Sequence, residues 1–200
     1  GVEALPPRGD ERRALFKQYA EVAGETLGAM LAWSEEAGDY EGVMEVAALA
    51  EHHLAYEQLA QVCKLIDTGE EARYQYMRSL PGSAADGVGP FATFMYERWR
   101  ASGMHVALLT LPDEFSASLA AYLAAHPRLQ WLHQVRLEDY SSAGDTLAAL
   151  AAKDPSTRAE RRRRLYLGKI AALAAPGGAA PGSLLALDAG LELLGVEEAA

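Results

Sequence analysis

Apolar residues recur at three- and four-residue intervals along the whole chain, and no segment sustains an alternation of apolar and polar positions with period two. That pattern predicts amphipathic helices and no sheet. Leu15, Tyr19, Val22, Leu27 and Met30/Leu31 keep helical spacing, which predicts a long first helix to about Trp33. Asp10 is its candidate N-cap, with Arg13 where a capping box needs an acid. Ala37-Gly38-Asp39 predicts a stop and a restart, glycine taking the left-handed position and aspartate the next N-cap. Helices follow over 40–51, 55–66 and 70–79, the second with the stripe Ala55, Leu59, Val62 and Ile66. Leu80-Pro81-Gly82 breaks the pattern, and the glycine- and proline-rich stretch 81–90 reads as a loop.

Pro90 starts an aromatic helix carrying Phe91, Phe94, Met95, Tyr96 and Trp99, closed by Ser102-Gly103. A short helix covers about 104–109. Pro112 opens another at its first turn, followed by Asp113 and Glu114 where the helix dipole favours acids, with Phe115, Leu119 and Tyr122/Leu123 on one face. His126-Pro127 is a further break, and Leu129, Trp131, Leu132 and Val135 mark the helix beyond it. Asp139 caps the next helix, to about Ala152. Asp154 as N-cap with Pro155 at the first helical position starts one that runs to about Ala175. The low-complexity stretch 176–182 reads as a linker, and Ser183 caps a last apolar helix that Gly195 ends after Leu194.

A phrase repeats within this series. Tyr40-Glu41-Gly42-Val43-Met44-Glu45-Val46-Ala47 is echoed by Tyr56-Glu57-Gln58-Leu59-Ala60-Gln61-Val62-Cys63, and Asp139-Tyr140 repeats the Asp39-Tyr40 opening. An aromatic residue at a helix start, a short loop and a small-residue stripe describe an irregular α-solenoid, a stack of antiparallel helix pairs. The fold class is therefore all-α. The expected organisation is a flexible entry (1–10), a helical-stack domain (11–175), a linker (176–182) and a terminal helix and tail (183–200). Tyr40, Tyr56 and Tyr140 are expected to pack rather than to form a site.

Composition narrows the function more than the fold. Half of the 200 residues are hydrophobic and 23% are charged, an ordinary globular balance that argues against disorder. The net charge of −10 disfavours broad binding to a nucleic-acid backbone and favours neutral or basic protein partners. Cys63 is alone, which excludes an internal disulfide, and its apolar setting predicts a buried, inert thiol, consistent with a reducing compartment. No run of about 18 apolar residues writes a membrane span, and no signal-peptide pattern is visible.

Catalytic and metal-binding patterns are weak. Gly87-Val88-Gly89-Pro90 has neither the lysine nor the spacing of a phosphate-binding loop. His52 and His53 are adjacent and diverge by about 100° on a helix, and Pro127 separates His126 from His133, so all read as helix-surface or turn histidines. Asp113-Glu114 and Glu35-Glu36 suit helix ends better than acid–base chemistry. The pointed feature is Arg158 with Arg161-Arg162-Arg163-Arg164. It admits a nuclear-localisation or nucleic-acid reading, but in an acidic chain a solvated face or protein contact fits better. Four consecutive arginines wrap around a helix, so at least one approaches the apolar side and must snorkel or pair with an acid. Leu165, Tyr166, Leu167, Ile170 and Leu173 then make this helix apolar on more than one face, as a central or partner-docked helix would be.

Several phrases resemble one family. Phe94-Met-Tyr-Glu-Arg-Trp99, Leu108-Leu-Thr-Leu-Pro112 and Leu123-Ala-Ala-His126-Pro-Arg-Leu-Gln-Trp131-Leu-His133 are followed in order by Asp139-Tyr140, the basic run and Gly168-Lys169-Ile170-Ala171-Ala172-Leu173-Ala174. Over roughly 40–175 this is similar to the one-hundred-and-thirty-three-kilodalton nucleoporin family. The resemblance implies a portion of the helical half of a propeller-plus-solenoid protein at the stem end of the Y-shaped nuclear pore scaffold. The neighbouring one-hundred-and-seven-kilodalton nucleoporin and other subunits of that complex are the implied partners. No cofactor, small-molecule substrate, nucleic acid or membrane contact is implied for this stretch. Carried over, Leu167, Ile170 and Leu173 become interface candidates, with Arg162 and Arg163 at the rim. The glycine-rich stretches 81–90 and 176–182 depart from the family pattern, and its propeller has no counterpart here. The expected function is a structural scaffold of the nuclear pore at the nuclear envelope, supporting transport of protein and mRNA. The alternative from residues alone is a generic helical-repeat adaptor, such as a vesicle-coat or assembly module.

Overall fold

A computed structural model describes residues 9–66, 69–79, 90–153, 157–176 and 181–199. Every regular element among them is helical, an all-α, solenoid-like arrangement as the periodicity predicts. None of these helices is long and apolar enough to cross a membrane. The chain divides into two compact units, 1–98 and 99–200.

The first unit holds α1 (Gly9–Ala37), α2 (Tyr40–His52), α3 (Tyr56–Leu65), α4 (Gly69–Ser79) and most of α5 (Pro90–Ala101), which runs on into the second. Its core is built from Leu27 and Leu31 of α1, Val43, Val46, Ala47 and Ala50 of α2, and Leu59, Val62 and Cys63 of α3. Phe91 of α5 is fully buried, ringed by Tyr56 and Tyr76 at centroid distances of 5.8 and 6.3 Å and by Phe94 at 6.1 Å. Burial raises the Cys63 thiol to about 11, so the inert thiol read from the sequence is what the core provides.

Two expectations for α1 change. The helix begins at Gly9, so Asp10 lies inside it rather than capping it, and it continues one turn past Trp33. Its apolar stripe is only half used, because Leu15, Phe16, Tyr19 and Val22 are exposed. The reason is length. At 1.5 Å per residue the 29-residue α1 extends about 43 Å, whereas α2 and α3, with 13 and 10 residues, reach about 20 and 15 Å. The C-terminal half of α1 carries the buried residues that meet them, and from the other half Tyr19 reaches His53 at the end of α2.

The repeated tyrosine phrase has a backbone explanation. Tyr40, Tyr56 and Tyr140 are each the first residue of a helix, two positions after a residue of positive φ: Gly38 at 66°, Leu54 at 55° and Glu138 at 58°. In each turn the intervening residue returns its N–H five positions back, Asp39 to Ser34 O, Ala55 to Ala50 O and Asp139 to Gln134 O, at 2.8–2.9 Å. Gly103 (70°) and Met104 close α5 in the same way. These are left-handed helix stops of one design. The tyrosines themselves are not uniform packing residues. Tyr56 packs on Phe91 and Phe94, but Tyr40 is 62% exposed. A leucine in the left-handed region costs about 1 kcal/mol that glycine does not. Leu54, half exposed in its turn, therefore gives a direct test: Leu54→Gly is expected to raise the urea midpoint, by about 0.5–1 kcal/mol of stability.

The second unit holds α6 (His105–Leu109), a 3-10 turn (Asp113–Phe115), α7 (Ser116–Leu123), α8 (Pro127–Arg136), α9 (Tyr140–Lys153), α10 (Arg158–Ala174) and α11 (Pro181–Ala199). Pro112 precedes the 3-10 turn, and Phe115, Leu119 and Leu123 are buried on one face as expected. Arg136 ties this region together, donating to the carbonyls of Leu109 and Leu111 and to Asp113. Asp139 Oδ1 accepts from Ser142 N at 3.2 Å, capping α9. The next start is different from the one read in the sequence. Residues 154–156, with the expected Asp154 cap and Pro155, lie outside the described residues, and α10 begins at Arg158, where the Thr157 hydroxyl accepts from Glu160 N at 3.3 Å. Gly195 does not end the last helix, which continues to Ala199. The expected entry, central loop and linker fall largely outside the described residues: 1–8, 80–89 and 177–180.

His133 is a further correction. Far from a surface histidine, it is 1% exposed, its Nε2 lies 3.3 Å from the Ser116 carbonyl, and its Nδ1 is buried without a partner. Desolvation outweighs that carbonyl bond and lowers its pKa from the ordinary 6.5, so the folded protein keeps the ring neutral. The unfolded chain then binds the extra proton. This contribution to stability is full above pH 6.5 and is lost as pH falls from 6.5 toward the folded-state value. In urea titrations at stepped pH, His133→Phe is expected to remove that part of the slope below pH 6.5.

A candidate partner interface on the tenth helix

The sequence forms α10 from strong helix formers, arginine, leucine, alanine and lysine, behind the Thr157 cap. Stepping 100° per residue, Arg164, Leu165, Gly168, Ala171 and Ala172 fall on one side, and all are buried. Against this side lie α9 and α11. The small residues permit close approach: a Cβ on Gly168 would sit 3.1 Å from Leu187 Cδ2, 3.3 Å from Leu147 Cβ and 3.4 Å from the Gly144 carbonyl oxygen. Lys169 Nζ to Asp188 Oδ1, at 2.6 Å, pins α10 to α11.

The opposite side carries a second apolar stripe. Tyr166, Ile170 and Leu173 follow one another at i, i+4 and i+7 and are 50%, 64% and 61% exposed. Arg162 and Arg163 flank them, the first half-buried and the second exposed, and with Arg158, Ala159, Tyr166 and Leu167 they line a surface depression of about 640 Å³. Of the five residues chosen from sequence, Ile170 and Leu173 thus share the outward stripe, and the two arginines border it. Leu167 is half-buried and also lines a second hollow, with Trp131 and Leu150. Tyr166 belongs with the stripe. Its helical spacing to Ile170 and Leu173 was the available signal.

The arginine run resolves as its wrapping required. Arg164 is the member driven inward, 9% exposed, and its Nη2 pairs with Glu160 Oε1 one turn earlier at 3.2 Å. A buried guanidinium so paired positions the helix rather than contacting a partner. Among the described residues no three His, Cys, Asp or Glu side chains converge as metal ligands.

Comparison with known proteins decides the family. Residues 89–189, half the chain, match the model for the non-repetitive/WGA-negative nucleoporin C-terminal region. The chain belongs to that nucleoporin family. The resemblance read around Trp131 therefore holds, and nucleoporins are proteins of the nuclear pore, at the nuclear envelope. The chain is 30% identical over 175 residues to nuclear pore complex protein Nup133 of Danio rerio, covering 86% of this chain and 14% of that one. It is 30% identical over 171 residues to NUP133 of Arabidopsis thaliana (76% and 13%) and 31% identical over 129 residues to Nup133 of Homo sapiens (64% and 10%). The chain thus spans about one-seventh or less of the length of these relatives. The matched region contains the whole of α10, stripe included.

Proposed function

We propose that this chain is a non-enzymatic architectural element of the nuclear pore scaffold, and that α10 docks a neighbouring nucleoporin through its outward stripe. The observation that carries the reading is the two-sided character of α10. One side is covered by α9 and α11, while Tyr166, Ile170 and Leu173 on the other stay exposed. An aromatic and two aliphatic side chains bordered by arginine have the composition of an interface core with a polar rim. The family resemblance supplies the partner, the one-hundred-and-seven-kilodalton nucleoporin. On this reading the mechanism is static: packed helices hold a fixed geometry, and the contact extends it into the next subunit, supporting passage of protein and mRNA through the pore.

Calorimetry with that partner tests the proposal. Ile170→Glu with Leu173→Glu is expected to weaken binding about a hundredfold or more, because two carboxylates would be desolvated in an apolar contact. Leu167→Ala, on the other edge, is expected to change affinity by less than about tenfold. Unchanged affinity in the double glutamate variant, with the helical circular dichroism intact, would sink the interface.

A further inference from the structure

The second unit contains a concave site apart from the α10 stripe. Its volume is about 710 Å³, within the range of ligand-binding clefts. Four parts of the unit meet there: the end of α5, the start of α6, the α7–α8 junction with the first turn of α8, and the last turn of α9. Each brings a basic or imidazole side chain to the wall, namely Arg100, His105, His126 with Arg128, and Lys153. Among the described residues no acidic side chain lines it. The floor is apolar, formed chiefly by Leu129 and the buried Leu150.

Three further features fit an anionic guest. The N-terminus of the ten-residue α8 is part of the wall, with Pro127 in its first turn, no acid in that turn and no side-chain cap from His126. The positive end of its dipole is therefore not offset by a carboxylate from its own first turn. Arg100 is held in place, its Nε donating to the Tyr122 hydroxyl at 3.1 Å, and the Tyr122 ring packs on His126 at 4.9 Å. The surrounding charge sharpens the contrast: a chain of net charge −10 repels acidic molecules in general, and here it gathers three permanent cations around one hollow.

We propose that this pocket binds an acidic peptide segment of a partner protein, with a large apolar side chain seated on Leu129 and Leu150 and flanking carboxylates met by Arg100, Arg128 and Lys153. The apolar floor selects this class over a bare phosphate compound, which would desolvate its charge there without a matching contact. The site is independent of the α10 stripe, and either reading can fail alone.

Fluorescence polarisation on the 200-residue chain tests the site. The probe is a short fluorescein-labelled peptide with Asp and Glu flanking a central Leu-Phe pair. Binding that weakens with added salt is expected, reduced about tenfold or more by Arg128→Glu with Lys153→Glu and by a Leu-Phe to Ser-Ser change in the probe. Ala149→Trp, which fills the hollow without altering charge, is expected to weaken it similarly. Arg158→Glu with Arg162→Glu, on the far side of α10, should leave it within about twofold. The proposal is overturned if the probe does not bind, if the α10 reversal abolishes binding while the pocket variants do not, or if the Ser-Ser probe binds equally well. Displacement of the probe from the pocket by tripolyphosphate at equal or lower concentration would likewise overturn it, by assigning the site to phosphates.

Discussion

Gly168→Leu is expected to cost the second unit about 3 kcal/mol or more, lowering its melting temperature by roughly 10 °C. Already a Cβ at this position would meet Leu147 Cβ at 3.3 Å, tighter than ordinary contact, and the Gly144 carbonyl at 3.4 Å, where ordinary contact begins. Leu187 Cδ2, at 3.1 Å, is the end of a flexible side chain and can yield, but the Gly144 backbone cannot. The rest of a leucine side chain has no room unless α9 and α10 separate. Separation would strip Leu147, Ala151, Leu165, Ala172 and Leu187 of their neighbours, and these are among the most buried residues of the unit. Hydrogen exchange should show faster amide exchange concentrated in α9, α10 and α11. A variant as stable as the parent would mean that the helices do not cross at Gly144 and Gly168. Gly168→Ala is the informative companion, setting a helix-propensity gain of about 1 kcal/mol against the tight contacts with Leu187 Cδ2 and Leu147 Cβ.

Phe91→Ala should destabilise the first unit by about 3–5 kcal/mol, the range for truncating a buried aromatic. Phe91 is fully buried and touches rings from two other helices, Tyr56 of α3 and Tyr76 of α4, in edge-on geometry. Truncation loses the transferred apolar area and leaves a cavity lined by rings that cannot all collapse into it. Phe91→Leu keeps most of the volume and is expected to recover more than half of the loss. Chemical denaturation followed by tyrosine fluorescence measures both. If Phe91→Ala left the midpoint unchanged, the aromatic cluster would not be core.

The aromatic cluster was legible in the sequence because Phe91, Met95 and Tyr96 carry the helical period from within a single helix. The turns were legible in part. Gly38 and Gly103 announced left-handed stops, but Leu54 and Glu138 adopt the same geometry without a glycine to mark them. What marked these two was the tyrosine echo, whose meaning depends on the backbone around it. The candidate interface was legible as excess: α10 carried more apolar residues than one face could use. Which of them face outward was not, since Leu165 and Leu167 are as apolar as Ile170 and Leu173.

His133 and the basic hollow show the limit from the other direction. A histidine in the sequence carries no sign of its burial, because the Ser116 carbonyl beside it comes from a helix 17 residues earlier in the chain. Arg100, Arg128 and Lys153 are spread over 54 positions, so no local motif could gather them.

Local rules were enough for the helical class, most boundaries, the family, and the need to pair one arginine of the run, because period, capping and composition act within a few residues. Tertiary packing decided the rest. It left half of the α1 stripe uncovered because its neighbours are short, turned Arg164 inward and Tyr40 outward, and divided the apolar residues of α10 between a core and a free surface. The physical reason is that burial belongs to a pair of surfaces. A helix writes its own apolar faces into the sequence, but which face is covered depends on elements that only the folded chain brings beside it.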